Sequence, residues 1–217
     1  MLRPDNARKT TAFYVSFLEL GRHLRNEDAW LCLGVLKVQT AHQVQGGLSC
    51  AFKMLLRHVF LSTPSFSTGV SLELSAGPTL FWAKLSNILG DEAALKSTWS
   101  VKGASGLKPC MLCKNVCAQR SGLPQHDVNN YLVDLACSDF SKFDLCTDND
   151  LWQMQDTLLA QQPVLSNAAL DRLEKATGMT CNPNGILADV ELRAHVKPTC
   201  STFDSMHCYL SNPNAIT

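Results

Sequence analysis

Four residues constrain this chain more than any others: Cys110-Met111-Leu112-Cys113, preceded by Pro109 and flanked by Lys108 and Lys114. Two thiolates at this spacing can grip one tetrahedral zinc ion from a tight knuckle. A single pair leaves the ion short of its four ligands. On residue type, Cys117, His126, Cys137, Cys200, His207 and Cys208 are candidates for the rest. Two other readings stay open. The pair is incidental to a helix, or it does thioredoxin-like redox work, although the strand-to-helix context and the aromatic before the motif are missing.

Ten cysteines in 217 residues fall well below the density of a small disulfide scaffold. The opening Met1-Leu2-Arg3-Pro4-Asp5-Asn6 lacks the apolar core of a signal peptide, so a reducing, intracellular compartment is expected. There, isolated cysteines act as small buried hydrophobes. The chain is 46% hydrophobic and 18% charged, too apolar for a disordered chain and too weakly charged for a coiled coil. No apolar run reaches membrane-helix length, so no membrane partner is expected. Nineteen basic residues balance nineteen acidic ones, which leaves nucleic-acid binding to a local groove.

Periodicity predicts an α/β chain. Residues 11–20 and 29–39 read as strands, the second mostly buried, and residues 49–60 carry helical apolar spacing. Residues 62–68 form a polar loop. Val70-Ser71-Leu72-Glu73-Leu74 alternates as a strand, and the later part of residues 80–90 reads as an interior strand. Asp91 then caps a short helix begun by Glu92-Ala93-Ala94-Leu95-Lys96. Residues 127–180 look helical, with apolar spacing over 128–135, 150–159 and 167–176, the last closed by Gly178. Residues 182–185 form a turn, and the chain looks cut after Cys208.

Asp91 also ends an apolar run, where a strand holds a carboxylate open to a magnesium ion; alone, a helix cap is the simpler reading. Asp204 and His207 share a helical face at spacing i, i+3. Asp134, Asp139, Asp144, Asp148 and Asp150 read as a solvated acidic region, and Trp82, Trp99 and Trp152 as core anchors. His23, His42, His58 and His195 have no visible partner. No nucleophile elbow, Walker loop, zinc-protease motif or dinucleotide fingerprint occurs, and no small-molecule cofactor is expected.

The order of these features carries a resemblance. Asp91 is followed by the basic segment Trp99-Ser100-Val101-Lys102-Gly103-Ala104-Ser105-Gly106-Leu107-Lys108-Pro109, by Cys110-x-x-Cys113, by a helical stretch, and by Asp204-x-x-His207. Over residues 80–210 this resembles the DDE transposases of the CACTA-like superfamily. It is also similar to a repetitive family of dinoflagellate proteins sharing a D-E-A-A-L-K … K-P-C-M-L-C core. The resemblance implies a partial RNase H-like mixed sheet with a helical, zinc-knuckle-containing insertion. Residues 1–99 would form the partial core, 100–199 the insertion, and 200–217 a truncated returning segment.

The chemistry so implied is DNA strand cleavage and transfer by two magnesium ions about 3.5–4 Å apart. Asp91 matches the second catalytic aspartate and Asp204 the first letter of D-x-x-H. Cys110, Cys113 and His207, with Cys208 beside them, would hold a structural zinc. Lys102 and Lys108 would meet DNA phosphates. Two of the three carboxylates have no counterpart: only Asp5 precedes the first strand, and no acidic residue follows Asp204. The expectation is a transposase-derived fragment, nuclear if the resemblance holds, that is catalytically incomplete alone and does not bind magnesium productively. The alternatives are a zinc-stabilised interaction module for nucleic acid or protein, and an unrelated cysteine-dependent enzyme.

Overall fold

In the computed structural model of the protein, residues 10–118, 131–135 and 137–203 are described. Helices and short strands are mixed, as the periodicity predicts, and among the described residues the strands form four separate two-stranded pairs.

The first pair is an antiparallel hairpin of β1 (Thr10–Val15) and β2 (Leu31–Lys37), with its register shifted between Phe13 and Tyr14. A short helix α1 (Val38–Gln43) leads through Gly46 and Gly47 into α2 (Gly47–Leu61). Gly46 takes φ 94°, and a side chain there would press on Asn184 and Cys50. The buried positions of α2 are Ser49, Leu56 and Phe60, which recur at helical spacing on one face. Strands β3 (Val70–Leu74) and β4 (Gly77–Phe81) form a second antiparallel hairpin.

Strand β5 (Ile88–Gly90) runs straight into α3 (Glu92–Trp99). A short parallel pair, β6 (Val116–Cys117) with β7 (Val133–Asp134), follows the knuckle. Helices α4 (Asp148–Gln161) and α5 (Asn167–Thr177) come next. Thr147 and Asp150 form a capping box at the start of α4, and Ser166 caps α5. Gly178 closes α5 at φ 76°, the left-handed geometry that a helix stop needs. The last strand, β8 (Ser201–Phe203), pairs in parallel with β5.

One buried cluster unites these elements. It takes Leu56 and Phe60 from α2, Ile88 from β5, Leu95 and Trp99 from α3, Leu151 and Leu158 from α4, and Met179, Ile186, Leu187, Leu192 and Val196 from the closing segment. It therefore spans the boundary expected at residue 99. Polar pins lock the closing segment in place. The Trp99 indole N–H donates to Ser201 Oγ at 2.8 Å. Asp148 accepts from the Thr199 amide and hydroxyl. Arg57 pairs with Asp189 at 2.8 Å.

The helices α2, α4 and α5 lie where apolar spacing places them. Other expectations are corrected. Residues 133–134 are a strand rather than part of a helix, because Val133 N–H donates to Asn115 O and Leu135 N–H to Cys117 O. The strand expected over 29–39 is not mostly buried: Leu31, Leu33 and Val35 are exposed. Trp99 is a core anchor, whereas Trp82 is 62% exposed. Trp82 follows the β3–β4 hairpin, which pairs with no further strand among the described residues. Trp152 lies at the edge of the core, with the Arg193 guanidinium and the Lys197 ammonium over its ring.

Candidate functional site

Two places gather chemistry-bearing residues. The first is the knuckle. Residues 112–114 form a short ladder with residues 144–146: Lys114 N–H donates to Asp144 O at 2.7 Å, and Cys146 N–H donates to Leu112 O at 2.9 Å. Cys113 bridges Leu145 in antiparallel fashion. Asn115 fixes the returning segment from within. Its buried amide donates to the carbonyls of Tyr131 and Lys142, each at 2.8 Å, and its Oδ1 accepts from Asp144 N–H at 2.9 Å. Asp144 in turn accepts from the Tyr131 hydroxyl, which holds that phenol up near 12.

This ladder brings a third thiol to the pair. Cys110, Cys113 and Cys146 line one cavity of about 10 Å³, together with Lys108, Met111, Leu151, Met154 and Met179. Burial pushes the Cys113 thiol up to about 12, helped by the nearby sulfur and thiol hydrogen bond of Cys110 and by the charge of Cys146. Burial likewise raises Cys146 to about 11, with Asp150 adding to the shift and Lys108 and Lys114 opposing it. None of the described cysteines is in a disulfide. Cys117, Cys137 and Cys200 do not line the cavity. Among the described residues, no group of three or more His, Cys, Asp or Glu is placed to hold a metal ion. His126, His207 and Cys208, named from the sequence, lie outside the described residues.

The second place is the β5–β8 edge. The pairing Ile88↔Ser201, Leu89↔Thr202, Gly90↔Phe203 is parallel and in register. Asp91 follows β5 and caps α3, its Oδ1 accepting from Ala94 N–H at 2.6 Å. The strand-end and helix-cap readings of Asp91 thus coincide in one residue. Among the described residues β5 has one strand neighbour, so it is a paired strand rather than the centre of a wide sheet. Asp204, the next residue after Phe203 in sequence, lies outside the described residues.

The two expected phosphate lysines differ. Lys102 is largely covered and pairs with Glu174 at 2.6 Å and Asp171 at 3.4 Å, so its charge is already neutralised. Lys108 lies on the wall of the thiol cavity. The acidic residues 139–150 serve the fold. Asp139 caps a short turn, Asp148 holds Thr199, and Asp150 joins its capping box to an ion pair with Lys114 at 3.0 Å. His195 stacks on Phe60 with ring centroids 5.7 Å apart. Sequence reasoning passed over Cys146 and Asn115. Neither belongs to a spaced motif, and only the ladder connects them to the knuckle.

No helix among the described residues is long and apolar enough to cross a membrane. No family model, curated protein or solved structure matches the chain.

Proposed function

We propose that this chain derives from a transposase-type DNA strand-transfer protein, with Asp91 as its retained catalytic carboxylate and Asp204, of the D-x-x-H, as a further candidate metal ligand. The supporting observation is the parallel register of β5 with β8. Gly90 and Phe203 are partners, and in sequence an aspartate follows each of them. A carboxylate that follows each of two paired strands in sequence suits a hard divalent cation such as magnesium, which supplies Lewis-acid stabilisation in phosphoryl transfer. Asp91 spends Oδ1 on the α3 cap, and a carboxylate has a second oxygen for a cation. Two carboxylates fall short of the set that two-metal chemistry uses, so these 217 residues alone do not cleave DNA. Lys108 is the better placed of the two lysines for a phosphate, because Lys102 is bound to Glu174 and Asp171. A nuclear site of action follows from this reading.

Manganese titration followed by electron paramagnetic resonance tests it. Wild-type protein is expected to bind Mn2+, and Asp91→Asn or Asp204→Asn to weaken binding at least about tenfold, by loss of a charged ligand. Asparagine caps a helix about as well as aspartate, so Asp91→Asn should keep α3 intact. Equal binding by wild type and Asp91→Asn would overturn the proposal. That outcome would favour the second reading, a zinc-stabilised interaction module, which the capping role of Asp91 and the neutralised Lys102 support.

A further inference from the structure

We propose that Cys146 is the third thiolate of a zinc site built on Cys110 and Cys113. This rests on reading Cys110 and Cys113 as a metal knuckle and goes beyond it, because Cys146 belongs to no spaced motif.

Backbone geometry carries the argument first. The Cys146 amide donates to the carbonyl of Leu112, between the two knuckle cysteines in sequence, and Leu145 bridges Cys113. The third cysteine is therefore set against the knuckle by main-chain bonds, not by a flexible side chain. It is also rigid from its other side. Thr147 is the N-cap of α4 and closes a capping box with Asp150. A thiolate just before the start of a 14-residue helix gains from its dipole.

The cavity supplies the second argument. Its volume of about 10 Å³ is close to what one water-sized particle requires. Three cysteines line it, and Met111, Leu151, Met154 and Met179 complete a soft, apolar wall. Thiolates in such a setting select zinc over hard cations. As placed, the three do not form a metal-holding group, so convergence on one ion asks their side chains to rotate about χ1.

The charges balance without a further cofactor. Three neutral thiols bind Zn2+ and release three protons, leaving a three-thiolate centre of net charge −1. Lys108 on the cavity wall offsets part of that charge, while Lys114 is paired with Asp150 at 3.0 Å. A water or one further donor fills the fourth tetrahedral position.

The test uses the full chain, kept reduced, loaded with Zn2+ or with Co2+ as a spectroscopic substitute. Elemental analysis after desalting should find about one zinc per chain. The thiolate-to-cobalt charge-transfer band should have the intensity of three sulfurs. Cys146→Ser should weaken zinc binding by at least about 100-fold, more than loss of a supporting outer contact does. Cys146→His, which returns a ligand, should recover most of it, and Cys200→Ser, outside the cavity, should change nothing. Zinc lost in Cys110→Ser but retained in Cys146→Ser would overturn the role of Cys146 while the knuckle stands. No zinc in wild-type protein would overturn both. A cobalt spectrum with two thiolates or fewer would overturn the proposal even if the Cys146 variants failed to fold.

Discussion

The interior around Trp99 and the two N-terminal hairpins both carry many apolar side chains, yet they use them in opposite ways. Trp99 is 0% exposed, and helices α2, α3 and α4 close around it and its neighbours. In the hairpins, Tyr14 at 58%, Val35 at 61% and Leu72 at 42% remain open to solvent. The β1–β2 hairpin touches the rest at points such as Phe13, which stacks on Phe52 with centroids 5.3 Å apart. A helix with one apolar stripe finds cover as soon as two other helices pack on it. A two-stranded ribbon has two faces and needs a further layer to bury either. Stability should therefore concentrate in residues 47–61, 88–118 and 137–203, with the hairpins contributing little.

Substitutions can break that contrast. Trp99→Ala should have the largest effect, a loss of about 3–5 kcal/mol in urea unfolding. It empties the middle of the cluster and removes the indole bond to Ser201. Gly178→Ala comes next, at about 2 kcal/mol or more in the same assay. The position has φ 76°, and a Cβ there would overlap the Lys108 carbonyl oxygen. This variant also tests the knuckle, since the same overlap presses on the wall of the thiol cavity. Thr147→Ala should cost about 1 kcal/mol through loss of the α4 cap. At the other extreme, Val35→Thr in β2 should shift stability by about 0.5 kcal/mol or less. A loss approaching that of Trp99→Ala would mean that the hairpin face is covered after all.

Acid sharpens the same comparison. Hydrogen bonds from the Thr147 side chain and amide, then the Lys114 ion pair, hold Asp150 down near 2. Its folded pKa lies below the ordinary carboxylate value, so its stabilising contribution is present above that value. The contribution is lost as pH falls from about 4 toward 2. Circular dichroism along an acid titration should show the 148–161 helix region weakening over that window. Asp150→Asn should flatten that part of the profile.

Much of the local architecture was legible in the chain. The apolar spacing of residues 49–60, 150–159 and 167–176 marks the three long helices, and Gly178 marks the end of the last. Asp91 announces its cap. These are short-range matters, decided by rotamer preference, capping chemistry and the period of the helix. The helix expected over 128–135 failed at 133–134, because spacing alone cannot register that Asn115 and Cys117 offer carbonyls to Val133 and Leu135. Trp82 misled because burial depends on what lies opposite, not on the indole itself.

The candidate sites divide along the same line. Sequence by itself determined that two cysteines stand at knuckle spacing and that aspartates follow Gly90 and Phe203. Only the tertiary structure decided that Gly90 and Phe203 are strand partners, that Lys102 is neutralised by Glu174, and that Cys146 returns to the wall of the knuckle cavity. The reason is physical. A motif records neighbours along the chain, whereas these three meetings depend on hydrogen bonds, ion pairs and packing between segments far apart in it.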